Sequence, residues 1–217
     1  MTTNQDKAVS RGRRFFRRDG RGQSLIEAIV ALGILTTSIS AALTLASQSV
    51  SAERDSAASI TAGNLAREGV EVARLLRDSN WLAENDWDQG LYSSAGPDYT
   101  GIPVFDPATG DWSIDFTPNS FNDTDTTVYR RVTASDNATV GLFEQTTALP
   151  TGVIASGYQR LLTLNPICRA AGGGYDIITS GYCSTEKVGI QVISNVHWSF
   201  AGRSHSLTAE ERLFDWR

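Results

Sequence analysis

The stretch RGQSLIEAIVALGIL, Arg21–Leu35, decides how the chain is read. After Ser24 it is almost entirely apolar, yet Glu27 sits among aliphatic side chains. A carboxylate at mid-bilayer costs about 2.5–3.5 kcal/mol on insertion scales. The apolar run continues as LIEAIVALGILTTSISAALTLA, Leu25–Ala46, 22 residues with Glu27 as the one ionisable group. At about 1.5 Å per residue, a helix of this length spans a hydrocarbon core of about 30 Å. Thr36, Thr37, Ser38, Ser40 and Thr44 weaken its hydrophobicity, but their hydroxyls can bond back to the helix's own carbonyls.

Charge is unevenly placed around this segment. Residues 1–22 hold seven Lys/Arg and two acids; the rest of the 217-residue chain holds twelve Lys/Arg and 22 acids. The arginine block should therefore stay in the cytoplasm, with the acidic remainder outside, by the positive-inside rule. An acidic domain argues against duplex nucleic acid as a partner, because phosphate contacts need a basic surface. The length suits one ordinary globular domain plus an appendage.

The helical pattern outlasts the apolar run. No proline interrupts Ser47–Leu82, and Ala58, Ala62, Leu65, Gly69, Val72 and Leu76 recur at spacings of 4, 3, 4, 3 and 4. That is one face of an amphipathic helix. Arg67, Glu71, Arg74 and Asp78 fall on the other side, where alternating-sign pairs contribute a few tenths of a kcal/mol each. Gly69 costs about 1 kcal/mol relative to Ala in a helix; on the apolar stripe it predicts close approach of a strand. The expected helix runs from about Ser24 to Ser79, with Arg77–Asn80 as its exit. A coiled-coil stalk is disfavoured by the small residues on the stripe and the short repeat.

Beyond Trp81, turn chemistry alternates with strand patterns. WSIDF (Trp112–Phe116), TVYRRVTAS (Thr127–Ser135) and YQRLLTL (Tyr158–Leu164) read as strands. KVGIQVISNVHWSF is the clearest, with Val188, Ile190, Val192, Val196 and Trp198 on one face. A tight turn at Ala201–Arg203 returns the chain through SHSLTAEERLF. One long helix followed by a run of strands predicts an α+β domain with an antiparallel meander covering the helix stripe.

Cys168 and Cys183 flank RAAGGGYDIITSGY, a glycine-rich excursion. Neither belongs to a zinc-ligand pattern. In an exported domain they would form one disulfide; otherwise they would be buried thiols. His197 and His205 could meet across the final hairpin, but no carboxylate pattern accompanies them. FDPATGDW (Phe105–Trp112) and NDTDTT (Asn122–Thr127) gather acids and hydroxyls without EF-hand spacing, and read as solvated turns rather than calcium loops. Trp198 reads as core, and Trp81, Trp87 and Trp112 as loop anchors. No nucleophile elbow, P-loop or zinc-protease motif is present, so no enzyme, cofactor or metal site is expected.

Three readings of the N-terminus compete. A cleaved secretory signal would end near Thr44–Ala46, but the apolar stretch is too long and contains Glu27. A plain signal anchor explains the arginines and leaves Glu27 as a cost. The third rests on resemblance. Gly22 followed by Gln23, Ser24, Leu25, Ile26 and Glu27, then a long apolar helix, resembles the prepilin leader and helix start of type IV pilins and type II secretion pseudopilins. Gly22, Ser24, Leu25, Ile26 and Glu27 match in register, while Gln23 departs from the usual Phe or Met. Asn64–Trp81 is similar to a segment of minor pilins of the PilV-like type.

The resemblance implies a cleaved leader at residues 1–22 and an assembly half of the helix at 23–46. It further implies an amphipathic half at 47–80 and an extracytoplasmic β domain at 81–217 whose Cys168–Cys183 loop is bonded. A prepilin peptidase would cut between Gly22 and Gln23 on the cytoplasmic side and N-methylate Gln23. The implied partners are other pilin subunits, an inner-membrane assembly platform, and membrane lipid before assembly. The precursor would be a single-pass protein of the inner membrane and the product a surface filament. A secretion pseudopilin and a filament-tip or membrane-anchored adhesin are the alternatives. In a filament, Glu27 would meet the amine of a neighbour's Gln23.

Overall fold

The computed structural model describes residues 21–92, 99–133, 140–148 and 151–215. Most of the expected leader therefore lies outside the described residues, as do Ala134 and Ser135 of the third expected strand. The chain forms two compact units, Met1–Ala52 and Glu53–Arg217. One α-helix, α1, runs through Arg21–Leu82. Eight strands follow among the described residues: β1 (Thr100–Asp106), β2 (Asp111–Asp115), β3 (Thr127–Arg131), β4 (Phe143–Glu144), β5 (Val153–Arg169), β6 (Tyr175–Ile177), β7 (Lys187–Phe200) and β8 (Arg203–Phe214). Every pairing among them is antiparallel. The architecture is α+β.

In the second unit, α1 lays its small and aliphatic residues on the sheet. Ala62, Leu65, Ala66, Val70, Val72 and Ala73 are buried. The covered face is wider than the stripe expected from sequence, because Ala66, Val70, Ala73 and Arg77 join it. Val70 and Ala73 pack with Leu162, Leu164, Ile190, Val192 and Leu213; Ala62, Leu65 and Ala66 pack with Val128, Val196 and Trp198. Alternation on β7 puts Val188, Ile190, Val192, Val196 and Trp198 on the covered face, as their period of two requires.

Gly69 marks the closest approach. A Cβ there would lie 2.6 Å from Ser194 Oγ and 2.7 Å from Leu162 Cδ2. Both neighbours sit on strands already paired on either side, so they have little room to retreat. Overpacking of this kind costs about 1–3 kcal/mol, and Val recovers little of glycine's helix penalty. Gly69→Val is expected to destabilise the domain by about that amount, read as a lower unfolding midpoint in urea with an unchanged slope.

The helix ends at Leu82, three residues beyond the expected end at Ser79, and without glycine. Glu84 takes a left-handed conformation (φ 58°). Its N–H donates to the Trp81 carbonyl at 3.3 Å, and Asn85 N–H donates to the Asn80 carbonyl at 2.9 Å. This is a Schellman closure. The Asn80 side chain then donates to the carbonyls of Trp87 and Gln89, fixing the next loop. Trp81 is consequently a residue of the last helical turn, under the Arg77 guanidinium at 4.6 Å, and not a loop residue.

The sheet is not the simple meander expected. Consecutive strands do pair, as β1–β2, β3–β4, β5–β6 and β7–β8, but β5 also takes β1, β3 and β7, so the order β2-β1-β5-β3-β4 branches at β5 to β6 and to β7–β8. β5 has 17 residues, about 56 Å at 3.3 Å per residue, longer than any partner. One of its edges carries β7. The other is shared in turn by β3, β1 and β6, at residues 153–159, 162–163 and 167–169. A register shift opposite Val128/Tyr129 leaves Ser156 and Gly157 out of the β3–β5 ladder. Ser156 Oγ then bonds the Val128 carbonyl at 2.5 Å.

Candidate functional site

The first unit consists, among its described residues, of helix alone. Ser24, Leu25, Ile26 and Glu27 are exposed, as is every residue whose side chain is described through Val50. Leu25, Ile26, Ile29, Val30, Leu32, Ile34, Leu35, Ile39, Leu43, Leu45 and Val50 are 48–67% exposed. An apolar surface that runs right round a helix needs lipid or other helices to cover it. The helix is long and apolar enough to cross a membrane. Gly22 and Gln23 already belong to its backbone, and Glu27 is one turn further on.

The hydroxyl groups in this segment satisfy themselves. Thr36 and Thr37 donate to the Gly33 carbonyl at 3.0 Å, Ser38 to Ile34 at 2.7 Å, and Ser40 and Thr44 to Thr36 and Ser40 at 2.9 Å. They carry no bare hydroxyl into an apolar surrounding. Glu27 has no such internal partner: among the described residues, no ion pair reaches it. Its carboxylate is thus the exposed charge on an otherwise apolar surface.

Cys168 and Cys183 form a disulfide, with Cα atoms 5.7 Å apart. The loop they close is more ordered than its glycine content suggested. Gly173 and Gly174 adopt positive φ in a turn closed by Ala170 and Gly174, and β6 folds back on the end of β5. The Tyr99 hydroxyl donates to the Gly181 carbonyl, joining the loop to the start of β1. Lys187 pairs with Asp88 and lies 4.4 Å from the Tyr92 ring. Burial beside these neighbours, then a bond with Tyr99, pushes the Tyr92 phenol up to about 12.

The remaining sequence candidates resolve as packing and turns. His197 stacks on Phe121 at 3.7 Å and His205 on Trp198 at 5.3 Å. His205 is opposite Trp198 in register, so the two histidines belong to opposite faces of the hairpin, although both line one cavity beside Trp198. Asp106 caps the β1–β2 turn by accepting from Ala108 N–H at 2.8 Å. Asp123 accepts from the N–H groups of Asn119 and Ser120. Trp198 is core, and Trp87 packs against the cluster around Leu91. Trp112 lies in β2 and meets Phe105 across the ladder at 5.1 Å.

The polar centre of the domain escaped sequence reading. Arg160 is 1% exposed. Its Nε donates to Gln145 Oε1 at 2.6 Å and its Nη1 to the Leu65 carbonyl at 2.9 Å, with Glu68 at 3.2 Å. Gln145 is itself buried and donates to the carbonyls of Thr126 and Arg160. Burial lowers the Arg160 pKa, and Glu68 opposes that shift. Nearby, Arg131 donates to both oxygens of Glu144 at 2.8 and 3.0 Å. The available signal was the period of two in YQRLLTL, which puts Arg160 on one face with Leu162 and Leu164.

The chain matches no family model, no curated protein and no solved structure.

Proposed function

We infer that this chain is a prepilin-type structural subunit, a minor pilin in its size and long basic leader. In this reading it enters a type IV pilus through α1 after the leader is removed. One observation carries the reading. The Gly22-Gln23-Ser24-Leu25-Ile26-Glu27 motif opens a 62-residue helix whose first part is apolar on every side and exposes a single carboxylate. A membrane anchor needs the apolar surface but not the acid. Filament assembly uses both: the surface packs against neighbouring helices, and Glu27 meets the cationic Gln23 amine of a neighbour. Pairing offsets part of the desolvation penalty of each charge, so Glu27 would set register more than add stability.

The precursor would sit in the inner membrane with its arginines inside and the disulfide-bonded domain outside, consistent with a disulfide in an exported compartment. The partners would be a prepilin peptidase, other subunits of the filament and the membrane platform that adds them. A pseudopilin of a type II secretion system would use the same helix in the same way. Sequencing the N-terminus of the mature chain in sheared surface filaments tests the reading: it should begin at Gln23.

A further inference from the structure

A cleft of about 280 Å³ opens in the second unit beside Glu68. It is lined by Phe105 and Trp112 of the β1–β2 hairpin and by Leu142, Phe143 and Glu144. Arg160 and Gln145 line its interior. Binding clefts for drug-sized ligands run from about 300 Å³ upward, so this one suits a single ring. We propose that it binds one sugar residue of a surface glycan.

The aromatic wall supplies the first half of the recognition. Phe105 and Trp112 are directly opposed in register, with ring planes inclined at 47°. Phe105 is more than one-third exposed, although an apolar ring of that size gains by being covered. Such rings present flat apolar faces to the C–H face of a pyranose.

Charge and hydrogen bonding supply the second half. Each carboxylate at the cleft already holds an arginine: Glu68 pairs with Arg160 and Glu144 with Arg131. The lining is therefore close to neutral, and a charged ligand would lose hydration without gaining an unmatched counter-charge. A purely apolar ligand would strip water from both carboxylates and leave their remaining lone pairs bare. Each ionised carboxylate has about four acceptor sites, and the pairs described use only part of them. Arg160 lines the cleft, and the bonds described for its guanidinium run through Nε and Nη1. Acceptors on the carboxylates and a donor within the cleft, all electrically compensated, match hydroxyl groups, which donate and accept at once.

The polar groups are also held in advance. The buried Gln145 amide makes bonds to Arg160 Nε and to two backbone carbonyls, so neither it nor the guanidinium must be ordered on binding. That lowers the entropic cost of a weak, small ligand. A single ring of roughly a dozen heavy atoms at ordinary ligand efficiency reaches about millimolar affinity. Function at a surface would come from many copies engaging at once. The proposal does not depend on filament assembly, since every residue in it belongs to the second unit.

The test uses the full chain in a zwitterionic detergent without a sugar headgroup. Saturation-transfer NMR would be run with the methyl glycosides of mannose, galactose, glucose and N-acetylglucosamine. At least one should receive saturation from the protein. The effect should fall about tenfold or more in Trp112→Ala, persist in Trp112→Phe, and fall likewise in Phe105→Ala, which serves where Trp112→Ala does not fold. Absence of transfer to all four glycosides would overturn the proposal, as would undiminished transfer in a folded Trp112→Ala or Phe105→Ala protein. Stronger transfer to N-acetylphenylalaninamide than to any glycoside would reassign the cleft to a peptide side chain and equally overturn it. None of these results touches the mature N-terminus, so failure here is distinct from failure of the assembly reading.

Discussion

Glu27→Ala is expected to leave cleavage after Gly22 intact and to remove the chain from filaments. Cleavage is expected to persist because the proposed peptidase site, the Gly22–Gln23 bond, would lie ahead of Glu27. Assembly is expected to fail because the Gln23 amine of each subunit would enter an apolar bundle with no carboxylate to meet. Breaking a buried pair by removing one partner costs about 3–5 kcal/mol, which is about two to three and a half orders of magnitude in an association constant. Glu27→Gln has nearly the same shape and no charge, so it should fail almost as completely. Comparing chain abundance in sheared filaments with that in the membrane reads the effect. Equal incorporation of Glu27→Ala and the unaltered chain would remove the charge-pair argument, whatever the cleavage result.

The second large effect is expected at Arg160. Arg160→Met removes the partner of Gln145 Oε1 and of the Leu65 carbonyl and leaves Glu68 without its cation. Leaving buried groups unpaired is the costly side of hydrogen bonding. The expected loss is about 3 kcal/mol or more, near the range for broken buried pairs. In a domain of this size that lowers the melting temperature by roughly 6–12 °C. Arg160→Lys should recover little, because an ammonium cannot span acceptors set out for a planar fork. By contrast, Glu211→Gln weakens the half-exposed pair between β8 and Arg74 and should cost under about 1 kcal/mol. Equal effects at Arg160 and Glu211 would show that the buried network contributes nothing beyond an ordinary surface pair.

Long periodic elements were legible from the sequence, and short or interrupted ones were not. The α1 stripe and the β7–β8 hairpin repeat their pattern over a dozen residues or more, and both form where the pattern puts them. β1 was missed because Gly101 and Pro103 interrupt it; Gly101 lies where a Cβ would come 2.6 Å from the Asp115 carbonyl oxygen. β4 and β6 have two and three residues, too few for any period, and exist because β3 and β5 offer them an edge. The first part of β5 was hidden by Ser156 and Gly157, which leave the ladder. The meander failed for a related reason: sequence gives strand order in the chain, while the length of β5 decided who shares its edges.

The candidate assembly segment divides differently. Its apolar surface and lone acid can be read directly from Leu25–Ala46, and the helix displays both. The role of Glu27 comes from a likeness of motif, because a single chain holds no neighbour for it to meet. The Arg160 network and the Phe105–Trp112 wall were illegible for another reason. Their residues come from α1, β1, β2, β5 and the strand at Phe143, and only the folded sheet brings them to one cleft.

The central claim is that the first 22 residues are a leader whose removal creates the cation for Glu27. Mass spectrometry and N-terminal sequencing of the mature chain, recovered from sheared surface filaments, test it most directly. The account predicts a chain that begins at Gln23, with a methyl group on its amine. A mature chain that retains residues 1–22, or one cut after Ala46, would contradict it.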